Sequence, residues 1–372
     1  MNKKLKNEVI HKNNIDMKKK NFGQFYTTNY KYILERLTIP ENAHIIEPFV
    51  GNGDLLKFYK EKINYKGSLK KMVEDKKIMC YDLDPPSSNK IKIIKRDTLM
   101  NPPDYTDKFI ITNPPYLARN KSTDKTLFDK YKVNDLYKCF IKILLTNKCN
   151  GGIMIIPLNF WSSIRKMDIA LRKNFLEVYN VIRVNIFEER VFDDTSYTVC
   201  SFSFVLKNNN NDIKFHIYPN NEKLSVKLNQ DNNYTIGGEI YNLQKNKKYK
   251  ITRLTSKNKK EASTKGTKTN ILVKCIDDNL NKRIGLSYVD DEDVYIDETD
   301  KLSSRTYASL MITPKIDEQK QKDLCNKFNE YFNKHRKKYY SLFLANYRES
   351  KDIARKRISF ALVYDIVGYL LI

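Results

Sequence analysis

Phe109-Ile110-Ile111-Thr112-Asn113-Pro114-Pro115-Tyr116 joins an unbroken apolar run to a loop of restricted geometry. A short apolar run closed by a turn signal reads as a buried strand, and its exit loop falls where open α/β sheets bind their ligands. Similar runs recur on both sides of it. His44 to Glu47, Lys77 to Tyr81, Ile91 to Lys95, Ile153 to Ile156, Val181 to Ile186 and Thr198 to Leu206 are expected strands. Helical patterns separate them at Asn29 to Leu37, Leu55 to Lys60 and Leu136 to Thr146. This alternation is that of βαβ units and predicts an α/β fold, a doubly wound, mostly parallel sheet. The last long strand follows its predecessor through a short connection, which suits an antiparallel partner at one side of the sheet.

The tetrapeptide has a chemical reading of its own. An exocyclic amine conjugated to a ring is a poor nucleophile, and two acceptors placed on its hydrogens return electron density to the nitrogen. The side-chain oxygen of Asn113 and the carbonyl of Pro114 suit this task, because the pair Pro114 and Pro115 fixes two successive φ angles. Tyr116 offers a ring on which an extruded base can stack. A second Asn-Pro-Pro, Asn101-Pro102-Pro103-Asp104, lacks both the preceding apolar run and the following aromatic, and is assigned to a connecting loop.

Three acidic segments precede the tetrapeptide at successive strand ends. Glu47-Pro48-Phe49-Val50-Gly51-Asn52-Gly53-Asp54 opens a helix through a Gly-x-Gly turn that lets backbone approach a ligand. The third glycine of a dinucleotide fingerprint is missing, and Glu47 suits an ammonium better than a pyrophosphate. Cys80-Tyr81-Asp82-Leu83-Asp84-Pro85 places Asp82 at a strand tip, where it can take the two hydroxyls of a ribose. Asp97, followed by Thr98, can accept from an adenine amine. An ammonium, a ribose and an adenine together describe S-adenosylmethionine.

With these residues in view, the chain resembles the gamma-type N6-adenine DNA methyltransferases of type II restriction-modification systems, over about Asn21 to Lys207. In that family the cofactor motifs come first, the catalytic motif next and a target recognition domain last. The resemblance implies that Phe22-Gly23-Gln24-Phe25-Tyr26-Thr27-Thr28 closes over the methionine end of the cofactor through Tyr26 and Thr27, although Thr28 stands where the family has proline. It implies cofactor contacts from Glu47, Phe49, Gly51, Gly53, Asp82, Leu83, Asp97, Thr98 and Asn113, and catalysis by Asn113, Pro114, Pro115 and Tyr116. Gly151 to Pro157 resembles a later structural strand. Glu189-Arg190-Val191-Phe192 resembles the motif that sets a second aromatic against the base, with Phe192 the better match and Tyr197 the fallback.

Residues 1–20 are expected to be a basic arm, 21–207 the catalytic domain and 208–372 a target recognition, DNA-binding domain. Beyond Lys207 come polar stretches at Asn208 to Asn211 and Asn229 to Asn233 and a basic run from Lys257 to Lys268, then helical periodicity from Ile316 to Leu344 and Ser350 to Leu371. Asn346-Tyr347-Arg348 and Arg355-Lys356-Arg357-Ile358-Ser359-Phe360 interleave cations with aromatics in a way that suits phosphates and base edges. The chain carries 68 Lys and Arg against 44 Asp and Glu, a net charge of +24, which favours a polyanion through counterion release.

Double-stranded DNA is therefore the expected partner, read by a monomer, with a cognate restriction endonuclease acting on the same site without a stable complex. The six cysteines show no Cys-x-x-Cys pair and read as reduced core residues, the acidic stretch Asp290 to Asp293 lacks calcium-loop spacing, and no metal site is expected. No apolar stretch reaches bilayer-spanning length, so a soluble protein of the cytoplasm, or of a host-cell interior if viral, is expected. An RNA or a protein glutamine side chain is the alternative substrate, since the same acceptors serve either nitrogen. Asn113 rather than Ser at the first motif position favours adenine over cytosine.

Overall fold

The computed structural model describes residues 27–86, 90–192, 197–207, 212–278, 284–298, 306–347 and 354–372. The expected N-terminal arm, Tyr26, the asparagine run 208–211 and Arg348 lie outside them. The described chain divides into two compact units, the first ending at Lys227 and the second comprising 161–164 and 228–372.

The first unit is built on nine strands: β1 Ile45–Glu47, β2 Met79–Asp82, β3 Ile94–Lys95, β4 Phe109–Thr112, β5 Gly151–Pro157, β6 Tyr179–Phe187, β7 Val199–Leu206, β8 Ile213–Tyr218 and β9 Glu222–Val226. They lie in the order β3-β2-β1-β4-β5-β7-β6-β8-β9. Pairing is parallel from β3 through β5, with Ile45 opposite Phe109 and Thr112 opposite Met154. Every residue of β1, β4 and β5 is buried, as expected of a parallel sheet covered on both faces, and this is why these strands read as continuous apolar runs. Chain order reverses between β1 and β4, which makes their carboxyl ends the topological switch point of the sheet.

Two expectations change. The antiparallel strand β7 does not sit at one side of the sheet but is inserted between β5 and β6, pairing antiparallel with both. The sheet also continues past Lys207. Strand β8 pairs parallel with β6 and β9 antiparallel with β8, so the exposed edge of β6 is covered and the first unit runs twenty residues beyond the expected boundary. Helix Tyr30–Ile33 is shorter than the periodicity suggests, because Asn185 and Ser201 from β6 and β7 hydrogen-bond the Ile33 carbonyl and turn the chain there.

In the second unit, strands β10 Lys250–Arg253, β11 Lys268–Lys274, β12 Gly285–Tyr288 and β13 Tyr307–Thr313 form an antiparallel sheet in the order β10-β13-β11-β12. Burial alternates strictly along β11, the period of a sheet with one face in a core. Helix Glu318–Tyr339 is N-capped by Asp317, whose carboxylate accepts from the Lys320 N–H, and buries Leu324, Phe328 and Phe332. Helix Phe360–Leu370 is capped in the same way by Ser359. The two helices account for the returning periodicity.

Candidate active site

At the switch point the acids from β1 and β2 meet the tetrapeptide from β4. Gly51 and Gly53 adopt φ of 50° and 76°, the left-handed region that a side chain disfavours, and Gly53 caps helix Asp54–Lys62. This turn folds over the tip of β2, where the Gly51 N–H donates to Asp82 Oδ2 at 2.8 Å and the Asp84 N–H to Asp82 Oδ1 at 2.9 Å. Each carboxylate oxygen keeps further acceptor capacity. Asp97 Oδ1 accepts from the N–H groups of Leu99 and Met100, and the Thr98 hydroxyl donates to the Pro48 carbonyl at 3.1 Å, which ties the third acidic loop to the first.

A cavity of about 610 Å³ opens between these loops. Thr27, Phe49, Gly51, Asp82, Leu83, Asp97, Thr98, Asn113 and Pro115 line it. Of the other expected site residues, Glu47, Gly53, Pro114, Tyr116 and Phe192 are not among its walls. Glu47 is 1% exposed, and neither carboxylate oxygen has a hydrogen-bond partner. Burial pushes its carboxyl well above the ordinary range and the charges of Asp82 and Asp54 add to this; the Thr112 hydroxyl, outside hydrogen-bonding geometry, opposes it only in part. A buried carboxylate left without donors is costly on its own and is suited to a cation arriving at the adjacent cavity.

The Asn113 amide is held at both ends. Its Nδ2 donates to Thr27 Oγ1 at 3.1 Å, and its Oδ1 accepts from the Tyr116 hydroxyl, which also lies 2.8 Å from the Ile155 carbonyl. Tyr116 is 2% exposed, with Tyr137 and Tyr197 packed edge-on against it at ring separations of 6.2 and 5.8 Å. Its ring thus presents no face to the cavity. Phe192 is buried as well, while Tyr197 is the aromatic brought against Tyr116.

The second Asn-Pro-Pro behaves as a connecting loop. Arg96 donates to the carbonyls of Asn101 and Pro102, and Asn147 to that of Pro103.

Sequence reasoning missed the far wall of the cavity, formed by Leu117, Lys121, Ser122, Asp124, Leu127, Phe128 and Leu136. This loop is fastened to the start of helix Leu136–Thr146, where buried Asp135 accepts the Leu117 N–H at 3.2 Å. Burial raises the Asp135 carboxyl to about 7, against the pull of nearby Lys138. An acid directly before an apolar helix was the available signal, and a helix cap was its simpler meaning.

In the second unit, Arg355 forms a two-pronged ion pair with Asp277 at 2.5 and 2.9 Å, and the buried Lys356 donates to the Tyr340 carbonyl. These two cations are committed within the unit rather than directed to phosphates. The acidic stretch forms an exposed turn in which Asp291 pairs with Lys268, and among the described residues no cluster suits a metal ion. All six cysteines are buried and none forms a disulfide, with burial pushing the thiols of Cys80, Cys139, Cys275 and Cys325 up to about 12. No helix among the described residues is long and apolar enough to cross a membrane.

Residues 49–192 match the model of the Eco57I restriction-modification methylase family. The chain is 26% identical over 207 residues to the type II methyltransferases M.HincII and M.HindII of Haemophilus influenzae, an alignment covering 51% of this chain and 38% and 37% of those proteins. It thus spans well under half the length of these relatives. Among solved structures, a modification subunit of a putative type I restriction enzyme from Vibrio vulnificus YJ016 superposes with a TM-score of 0.41 at 15% identity, covering 52% of this chain and 47% of that one. The family match covers the Gly-x-Gly turn, Asp82, Asp97 and the tetrapeptide alike, so residues 49–192 are similar to methylases of the restriction-modification type, and the cofactor this likeness carries is S-adenosylmethionine.

Proposed function

We propose that the protein transfers the methyl group of S-adenosylmethionine to the N6 amine of an adenine turned out of duplex DNA. The observation that carries this reading is Asn113, fixed at the tip of β4 on the wall of a cavity whose other walls hold Asp82 and Asp97, with the unpartnered Glu47 at the end of neighbouring β1. The residues present fit the cofactor: Glu47 would take the methionine ammonium, Asp82 the ribose hydroxyls and Asp97 the adenine amine, beside the side chain of Leu83.

When bound, S-adenosylmethionine supplies an electrophilic methyl group on a sulfonium. The protein's part is to prepare the nucleophile. The Asn113 oxygen and the Pro114 carbonyl accept the two amine hydrogens and restore the nitrogen lone pair, and the two prolines hold that geometry before the base arrives. Attack by the amine would form the N–C bond as the S–C bond breaks, with no covalent enzyme intermediate and the surplus amine proton leaving to water, and the buried, high-pKa cysteines are poor nucleophiles. Stacking of the base on Tyr116 requires its ring to leave the packing against Tyr137 and Tyr197, after which Tyr197 or Phe192 borders the base. The second unit is assigned DNA recognition, the chain acts as a monomer, and a cognate endonuclease would cut the same unmethylated sequence.

Incubation with labelled S-adenosylmethionine and, in parallel, duplex DNA, RNA and protein tests the reading. Label should enter duplex DNA, and Asn113→Ala should reduce the rate by at least about 100-fold, as expected for loss of a preorganised polar group. Preferential label in RNA or protein would replace the substrate, and a fully active Asn113→Ala would remove the mechanism.

A further inference from the structure

We infer that Thr112 is a positioning residue of the cofactor site, whose hydroxyl donates to the Glu47 carboxylate when that group meets a cation; this rests on the cofactor placement proposed above. Thr112 closes β4 and is the one polar side chain in an otherwise apolar, fully buried strand. Its hydroxyl has no hydrogen-bond partner. Valine has the same branched shape, suits a buried strand, and would spare the fold an unsatisfied hydroxyl. A threonine here therefore calls for a partner of its own.

The strand paired with β4 ends in a residue of the same kind. Glu47 closes β1, is buried, and both its oxygens are likewise without partners. The titratable groups that face it are Asp82 and Cys80 from β2 and Asp54 from helix Asp54–Lys62, whose own partner is Lys57 at 2.7 Å. Asp82 and Asp54 oppose a charge on Glu47, whereas the Thr112 hydroxyl, although outside hydrogen-bonding geometry, favours it. A hydroxyl can turn its proton toward a carboxylate, and bonds to a charged acceptor are the stronger kind. The charged carboxylate has acceptor capacity for an ammonium and for this hydroxyl together, so one event satisfies both buried residues.

The test compares Thr112→Val, Thr112→Ala and Thr112→Ser in the full chain, without DNA. Melting curves of the protein alone read the contact. Because Thr112 favours the charged form of Glu47, its contribution to stability is absent at low pH and grows as pH climbs through the raised folded value of that carboxyl. The Tm difference between wild type and Thr112→Val should therefore move in favour of the wild type as pH rises, with Thr112→Ser following the wild type. Calorimetry with S-adenosylmethionine reads the site, between about pH 5 and 7.5, where the ligand's amine stays charged. Valine should weaken binding roughly 10- to 150-fold at the acid end, the worth of a hydrogen bond to a charged group. The loss should narrow toward the upper end, where Glu47 has no proton to give up, and serine should bind as the wild type does. Alanine repeats the loss of the hydroxyl without the second methyl of valine, so a clash cannot imitate the effect. A Tm difference equal at every pH overturns the inference in favour of packing alone, as does wild-type binding by valine and alanine, or serine as weak as valine. Glu47→Gln is run alongside: wild-type binding there defeats the cofactor placement itself, whereas weak binding there with wild-type binding by Thr112→Val and Thr112→Ala defeats only this inference.

Discussion

Replacing Glu47 by glutamine should stabilise the protein increasingly as pH rises and, in the same variant, remove most of its affinity for S-adenosylmethionine. Glu47 is buried with neither oxygen hydrogen-bonded, and burial lifts its carboxyl well above 4.5. The folded state therefore holds this proton more tightly than the unfolded state does. The associated stability is complete below pH 4.5 and is lost as pH climbs through the raised folded value. Glutamine has no proton to lose, so its curve lacks this decline. The difference at high pH is that of a buried unsatisfied group, about 1–3 kcal/mol, or about 2–12 °C in Tm for a unit of roughly 200 residues. Removing one partner of a buried charge pair costs about 3–5 kcal/mol, so the cofactor should bind roughly 150- to 5,000-fold more weakly. Thermal melts of both proteins at several pH values, with and without cofactor, measure the two effects together. Parallel melting curves against pH, or a variant that still gains wild-type stability from cofactor, would refute the reasoning about Glu47.

Asp82→Ala should weaken cofactor binding and also loosen the Gly51 turn, since the carboxylate accepts the Gly51 N–H; calorimetry and a melt check both. Arg355→Ala should destabilise the second unit by about 1–3 kcal/mol through loss of the Asp277 pair, while the salt dependence of DNA affinity stays as in the wild type. A change in that slope would return Arg355 to the phosphate contacts. Alkylation of the native protein should leave methyl transfer intact, because the described thiols are buried and held far from the thiolate form; inactivation before unfolding would contradict this. Affinity for duplex DNA should fall steeply with salt, and a flat response would undercut the part given to the net charge of +24.

What could be read from the chain follows from where its information is local. Strand β4 and its exit loop were legible because a fully buried strand leaves an unbroken apolar run, and the second Asn-Pro-Pro was separable because it lacks that run. The Gly-x-Gly turn was legible because only glycine takes those positive φ values easily. Other features depend on contacts distant in sequence. Strands β8 and β9 follow a polar stretch that resembles a linker, and only the need of β6 for a neighbour draws them into the sheet. The burial of Tyr116 depends on Tyr137, Ile155 and Tyr197, three separate segments that meet in the fold. Arg355 looked available because Asp277, its partner, lies 78 residues away.

The central claim is that Asn113 prepares an adenine amine in duplex DNA for methylation. Duplex DNA treated with the purified protein and S-adenosylmethionine can be sequenced with single-base detection of modified nucleotides, beside DNA treated with Asn113→Ala. The account predicts N6-methyladenine at a defined sequence with the native protein and none with the variant. Methylated cytosine, or methyladenine that persists when Asn113 is replaced, would contradict it.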